Sequence, residues 1–174
     1  MTETWKDASI CPHCMTEDVV VASGPKNAQV LLIGAYPDER ELVTGKPFTG
    51  NGGVILKAEL GRVGLDIKQF RLVYLQHHVP NKNPACSALG VELAIAELTK
   101  YRQIVLLIGS EPVKFFCKKS VDDVNGLQVH SPMITQVSLV MACVSPASVF
   151  SKSVGELRFA IKQFNKALEE GMIK

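Results

Sequence analysis

The chain has 174 residues, of which 47% are hydrophobic and 21% are charged, a composition that supports a packed core and argues against disorder. The length suits one domain over residues 1–174, with residues 1–25 as an N-terminal arm. No apolar run is long enough for a membrane span, and residues 1–10 lack a secretory pattern, so we expect a cytoplasmic protein without a membrane partner. The net charge of +2 argues against nucleic-acid binding through a strongly basic tail. It is still compatible with a local groove lined by basic residues.

Buried strands alternate with helices along the chain. Apolar runs predict buried strands over residues 30–33 and 104–109, and largely apolar segments predict further strands over 70–75 and 138–143. Helical spacing of apolar residues predicts helices over 53–63, 88–99, 111–118 and 154–169. This order predicts an α/β domain with a mainly parallel sheet.

Three loops leave the predicted carboxyl ends of the strands, where parallel sheets bind their ligands: residues 35–52, 76–84 and 144–152. Each loop carries one lysine, namely Lys46, Lys82 and Lys152. These lysines either line one groove that binds phosphates or are ordinary solvated side chains. The sequence therefore indicates a site at this edge before any family is considered.

The five cysteines are an odd number in a chain without an export signal, which argues against a disulfide scaffold. The Cys11-Pro-His-Cys14 motif lies in the polar N-terminal arm. A redox pair would need a strand before it and a helix after it, and neither is predicted here. A metal or cluster site is the more natural interpretation, with Cys86, His77 and His78 as further candidate ligands. Two ordinary surface cysteines remain the plain alternative.

The Gly45-Lys46 pair is superficially similar to a phosphate-binding loop. However, Pro47 stands where such a loop needs Ser or Thr to bind magnesium, and the upstream glycine spacing is also different. A nucleoside triphosphatase is therefore excluded.

Several segments together resemble the family 4 uracil-DNA glycosylases of bacteria and archaea. The similarity starts at the Cys11–Cys14 motif and continues through the strand that ends in Gly34-Ala-Tyr-Pro37. It is most specific in Thr44-Gly-Lys-Pro-Phe-Thr-Gly-Asn-Gly-Gly53, and Val144-Ser-Pro-Ala147 lies where the family has its His-Pro-Ala motif. The resemblance covers about residues 11–165 and implies a three-layer α/β/α sandwich around a mainly parallel sheet.

The resemblance also implies how the protein would contact DNA. A glycosylase flips the target base out of the stack into a pocket, where Phe48 would form the stacking wall. Backbone N–H groups of the glycine-rich loop and of the segment 145–148 would approach phosphates. The residues that we expect to bind DNA or the base are Tyr36, Pro37, Phe48, Gly50, Gly53, His78, Ser145, Pro146 and Ser148.

The departures from the family pattern concentrate on the chemistry. Ala35 replaces the motif acid, Ser145 replaces the motif histidine, and His77 stands at the position of the asparagine that reads uracil. The family's cysteine set for a 4Fe-4S cluster is also incomplete, because its third position falls at Asn81. Cys11, Cys14 and Cys86 therefore remain candidate ligands for either a 4Fe-4S cluster or zinc.

These observations favour a DNA-binding, uracil-DNA glycosylase-like protein with eroded catalytic motifs, acting as an accessory to replication or repair proteins. Its DNA would be single-stranded or uracil-containing, and a short version of the family would suit a phage gene. The alternative is an active glycosylase for uracil or a damaged base, with Asp38 or Glu39 as the acid and His77 or His78 supporting the leaving group. A redox protein that uses Cys11 and Cys14 is the third hypothesis.

Overall fold

Four parallel strands form the central sheet in a computed structural model, which describes residues 10–150 and 154–171. The strands are β1 (Val30–Gly34), β2 (Arg71–Tyr74), β3 (Ile104–Ile108) and β4 (Leu139–Cys143). Their order across the sheet is β2-β1-β3-β4, and each pairs in parallel with its neighbour. This arrangement confirms the predicted α/β class with a parallel sheet.

Six α-helices connect and cover the described strands. They are α1 (Glu39–Thr44), α2 (Asn51–Arg62), α3 (Pro84–Ala96), α4 (Ser110–Cys117), α5 (Val121–Val124) and α6 (Val154–Gly171). Short 3₁₀ helices lie at Ile67–Gln69 and Pro146–Phe150. None of the helices within the described ranges combines the length and hydrophobicity that crossing a bilayer requires.

Helices α1 and α3 start at positions that the sequence did not predict, and α5 was also not predicted. The predicted loop 35–52 contains α1, because Asp38 and Glu41 cap each other's backbone there. Helix α3 begins earlier than predicted, because the Asn83 side chain accepts a hydrogen bond from the Ala85 amide and Pro84 occupies the first helical turn.

The strands are almost entirely buried, so the core lies on both faces of the sheet. Such sheets need helices on both sides, which explains their uninterrupted apolar sequences. Helices α2 and α6 pack together, and the Arg158 guanidinium donates to both carboxylate oxygens of the buried Glu59 at 2.9 and 3.1 Å. This ion pair joins two helices that are far apart in sequence.

The N-terminal arm runs beside the edge strand β2. Ser23 forms an antiparallel bridge with Leu72, and the Val20 amide donates to the carbonyl of His77 at 2.7 Å. Residues 1–9 of the predicted arm lie outside the described residues. The described part of the arm thus reaches the carboxyl end of β2, where the second predicted loop begins.

Candidate functional site

Asp38 caps helix α1 at the carboxyl end of β1. Its Oδ1 accepts a hydrogen bond from the Glu41 amide at 3.0 Å, and Glu41 Oε2 accepts one from the Asp38 amide at 2.8 Å. The carboxylate also lies so close to Gly50 that a Cβ atom there would be 1.8 Å from Oδ2. The predicted catalytic acid is therefore exposed but already bound to the backbone that it organises.

Glu41 is a buried carboxylate that joins three elements. Its Oε1 accepts a 2.7 Å hydrogen bond from the Tyr74 hydroxyl on β2 and a 3.5 Å bond from the Gly50 amide before α2. Burial, followed by the charge of Glu41, raises the pKa of Tyr74, so the hydroxyl remains a donor. Oε1 of Glu41 thus holds the loop between α1 and α2, while Oε2 caps the start of α1.

Phe48 lies inside this loop rather than on its surface. Its ring centroid is 5.1 Å from that of Tyr74, and its amide donates to the Tyr74 hydroxyl at 3.3 Å. The side chain is 4% exposed, and its backbone adopts a left-handed φ of 57°. A Cβ atom at Gly53 would lie 2.0 Å from the Phe48 carbonyl oxygen, so only glycine lets α2 start against this residue.

The two predicted phosphate-binding segments meet at the start of α2. Gly50 is the N-cap and provides no side-chain hydrogen bond, and a Cβ atom at Gly52 would lie 3.4 Å from the Ala147 amide nitrogen. The segment 145–148 is a tight turn in which the Ser148 hydroxyl donates to the Ser145 carbonyl at 2.6 Å. The buried Pro146 lies in the same turn.

A cationic side chain that the sequence did not single out lies at the carboxyl-terminal edge of the sheet, beside the start of α2. Arg40 on α1 is exposed and donates from Nη1 to Asn51 Oδ1 at 3.0 Å, in the first turn of α2. Tyr36, Lys46 and Lys82 are exposed in the predicted loops, Pro37 is buried, and Lys152 lies outside the described residues. The first and third predicted loops therefore share one edge with Arg40.

His77 faces a cavity and not the Phe48 loop, which is the segment 45–50 between α1 and α2. The cavity has a volume of about 330 Å³ and is lined mainly by apolar residues of the arm, β2 and α3. His77 is buried, and neither ring nitrogen has a hydrogen-bond partner among the described residues. Burial, with smaller contributions from His78 and His13, lowers the pKa of His77 to about 4, which keeps the ring neutral.

His78 joins three cysteines in a compact cluster. The four ligand atoms of Cys11, Cys14, His78 and Cys86 lie within 4.8 Å of one another. A backbone hydrogen bond at Thr16 is the largest cause that lowers the pKa of the Cys14 thiol, whereas burial raises the pKa of Cys86. The structure thus brings together the predicted metal-binding cysteines and places with them His78, which the sequence offered both as a metal ligand and as a DNA contact.

Glu41 was not singled out in the sequence, although a local signal for its role is present. The spacing of Asp38 and Glu41 is that of a capping box, which predicts a helix start inside the long loop. No local pattern marks the contact between Glu41 and Tyr74, because it joins residues separated by 33 positions. The separation of His77 from His78 also depends on which way each ring turns.

A family model described as the uracil DNA glycosylase superfamily matches residues 21–169, which is most of the chain. The chain belongs to this uracil-DNA glycosylase superfamily. This confirms the family suggested by the sequence and agrees with the parallel sheet described above.

One relative of known sequence and one solved structure show how far the similarity extends. A stretch of 66 residues is 33% identical to the type-4 uracil-DNA glycosylase of Thermotoga maritima, covering 37% of this chain and 34% of that protein. The match therefore spans about a third of that relative's length. The crystal structure of wild-type SMUG2 from Pedobacter heparinus is similar over 84% of this chain and 77% of that chain, with a TM-score of 0.56 and 14% identity. At this identity the likeness shows the fold alone.

The cysteine–histidine cluster does not fit the cofactor that the family 4 resemblance implies. A 4Fe-4S cluster of that type is held by four cysteines, each bound to a different iron atom. Here the described residues place three thiols and one imidazole around a small space, and Asn81 donates its amide to Cys86 Sγ at 3.6 Å. This ligand set therefore does not match an iron–sulfur cluster of the family 4 type.

Proposed function

We propose that this protein binds single-stranded or uracil-containing DNA without efficient base excision and acts as an accessory to replication or repair proteins. The observation that carries the proposal is the hydrogen bonding of Asp38 and Glu41, which ties the carboxylates of these two residues to backbone or Tyr74 donors. Membership of the superfamily supports DNA as the partner.

The carboxyl-terminal edge of the sheet lacks several of the groups that base excision requires. Breaking the glycosidic bond requires a carboxylate near the sugar, a positioned water and a donor for the departing uracil anion. Ala35 and Ser145 stand at the two motif positions, and His77 faces the cavity beside the arm. Loss of one oxyanion donor alone reduces turnover by about 100-fold or more, so several losses favour binding over catalysis.

Phosphate recognition is better supported by the same edge. The N-terminus of the 12-residue helix α2 carries partial positive charge, and its cap Gly50 has no side chain to occupy the first N–H groups. Arg40 stands beside that turn, Lys46 lies in the preceding loop, and the turn 145–148 lies against Gly52. These groups suit a DNA backbone, which contributes affinity without reading sequence.

Recognition of a flipped base should be weak in comparison. A base stacks on an aromatic ring only where one face of the ring is open, and Phe48 is buried against Tyr74. We therefore expect binding to single-stranded DNA with only a small preference for uracil over thymine.

Fluorescence anisotropy with matched single-stranded oligonucleotides, one with uracil and one with thymine, tests the binding. We expect binding that weakens steeply with salt, and an Arg40→Gln/Lys46→Gln variant that binds at least about 10-fold less tightly and has a smaller salt slope. Lys166→Gln is the matched control, because Lys166 is exposed on α6 and pairs with Glu170. Equal affinity of the variant and the control would contradict the proposed surface.

A single-turnover cleavage assay with excess protein tests catalysis. We expect no abasic sites above the protein-free background. Cleavage that is lost in Asp38→Asn would instead support an active glycosylase with rearranged residues. This variant is informative because asparagine also caps helices well, so the substitution removes the charge and keeps the local fold.

A further inference from the structure

Three separate segments deliver metal-ligand atoms to one point beside β2. Cys11 and Cys14 come from the N-terminal arm, His78 from the loop after β2, and Cys86 from the first turns of α3. The Met15 amide donates to the Cys11 carbonyl at 2.8 Å, and Met15 has a left-handed φ of 58°, so the arm folds into a tight knuckle. Both cysteines of the motif thereby face the same centre.

We infer that this cluster binds a single Zn²⁺ ion through Cys11, Cys14, Cys86 and His78, in place of an iron–sulfur cluster. Tetrahedral zinc with Zn–S bonds of about 2.3 Å and a Zn–N bond of about 2.0–2.1 Å sets sulfurs about 3.8 Å apart and a sulfur and nitrogen about 3.6 Å apart. The structure has 3.8 Å between Cys11 Sγ and Cys86 Sγ, and 3.6 Å between Cys14 Sγ and His78 Nε2. These two distances match edges of a tetrahedron around one zinc ion, and all four ligand atoms lie within 4.8 Å of one another.

The orientation of His78 completes the site. Its Nδ1 lies 2.7 Å from the Val79 carbonyl oxygen, a contact that requires a proton on Nδ1. Nε2 therefore presents its lone pair to the thiols, as a zinc-binding imidazole must. A hydrogen bond from the second ring nitrogen to a carbonyl is also the common way to fix a metal-binding histidine.

The same atoms are too close together for a four-iron cluster. Such a cluster distributes its protein ligands over separate iron atoms that point away from one another, so the ligand atoms stand farther apart than around one ion. Asn81, at the position of the family's third cysteine, is exposed and contacts Cys86 Sγ through its amide. Asn81 therefore stabilises a thiolate from outside the ligand set, and His78 takes the fourth position.

The site is closed and therefore structural. Four protein ligands leave no open position for water or substrate, which distinguishes structural zinc sites from catalytic ones. The ion would fasten the arm to the edge of the sheet, where a small apolar cluster of Cys11, Val19, Cys86 and Leu89 provides little core of its own. Binding free energy of the metal then contributes directly to folding of this region.

Metal analysis of the purified full-length chain tests the inference independently of DNA binding. We expect one zinc ion per chain by mass spectrometry and no iron or acid-labile sulfide. The apoprotein, titrated with Co²⁺, should show the visible spectrum of tetrahedral cobalt with thiolate ligands. Zn²⁺ should protect Cys11, Cys14 and Cys86 from alkylation while Cys117 and Cys143 react equally with and without the metal, a readout that needs no variant.

Matched variants test the ligand set. His78→Ala should lower zinc affinity by at least about 100-fold, and Asn81→Ala by about 10-fold, because outer contacts matter less than ligands. His13→Ala is the control, because His13 is exposed within the same motif and lies outside the cluster. The inference is overturned by stoichiometric iron and sulfide, by failure of the wild-type apoprotein to bind either Zn²⁺ or Co²⁺, or by wild-type zinc affinity in His78→Ala.

Discussion

The Tyr74 hydroxyl donates a 2.7 Å hydrogen bond to Oε1 of Glu41, and this contact joins the carboxyl end of β2 to the first helix after β1. The same hydroxyl accepts a hydrogen bond from the Phe48 amide, and the same carboxylate accepts one from Gly50. The most family-specific segment of the sequence is therefore held from inside by a tyrosine–glutamate pair. A buried carboxylate of this kind depends on its donors, because the interior offers no water to replace them.

Tyr74→Phe should therefore destabilise the fold while keeping the ring contact with Phe48. Loss of a donor to a buried charged group should lower the free energy of unfolding by about 2 kcal/mol, equivalent to about 6 °C in Tm. Chemical denaturation and thermal melting would measure both values. Tyr101→Phe is the control, because Tyr101 is 47% exposed and should change stability by less than about 0.5 kcal/mol. Equal stability of the two variants would show that the pair does not hold the loop.

Two glycines of helix α2 should respond in opposite directions to the same substitution. A methyl group at Gly53 would lie 2.0 Å from the backbone oxygen of Phe48, whereas nothing lies within 4 Å of one at Gly61. Gly53→Ala should lower the free energy of unfolding by more than about 3 kcal/mol, since backbone must move. Gly61→Ala should raise it by about 1 kcal/mol through helix propensity. Urea unfolding of both variants measures the two changes in the free energy of unfolding. A small loss of stability in Gly53→Ala would mean that the backbone around Phe48 can move to accommodate the methyl group.

The central sheet was predictable because its strands are short apolar runs buried on both faces. The apolar run that ends at Ile108 is recognisable without any knowledge of its neighbours. The longer helices that cover the sheet are recognisable from the spacing of apolar residues and from capping residues. Helix α1 was missed because the loop around it is rich in proline and glycine, and six residues with a capping box are a weak local signal.

The candidate site was only partly predictable because its decisive contacts are long-range. The sequence offered Cys11, Cys14, Cys86 and both histidines as ligands without saying which histidine turns towards the thiols. His77 and His78 are adjacent, yet one faces an apolar cavity and the other meets Cys14, which lies 64 positions away. Such a choice is made by packing of the arm against β2, which no local pattern encodes.

Acid should weaken the contact between α2 and α6 through Glu59. Hydrogen bonds from Arg158 are the largest cause that holds the pKa of Glu59 below its ordinary value in the folded protein. A depressed pKa contributes stability above the unfolded pKa of about 4.3, and this stability is lost as the pH falls through the folded value. Glu59→Gln should thus be less stable than wild type at pH 7, with the difference narrowing below about pH 4. Urea unfolding across pH 3–7 measures it, and a pH-independent difference would contradict the linkage. Glu92→Gln, exposed on α3, is the control.

His77→Phe should stabilise the protein, although the family resemblance implies that His77 takes the place of the residue that reads uracil. Burial of two ring nitrogens without partners among the described residues is unfavourable, and a phenyl ring of similar shape removes both polar atoms. We expect the free energy of unfolding to rise by about 1 kcal/mol and Tm by about 3 °C. The adjacent cavity of about 330 Å³ gives the larger ring room to settle.

The same variant separates a packing role for His77 from a catalytic one. If His77 only packs beside the arm, His77→Phe should leave DNA affinity and zinc content at wild-type values while the melting temperature rises. A lower melting temperature would show that the ring nitrogens do find partners, for example ordered water in the cavity. Loss of measurable base excision in an otherwise stable His77→Phe protein would place the histidine in an active centre and would contradict the binding-only function proposed above.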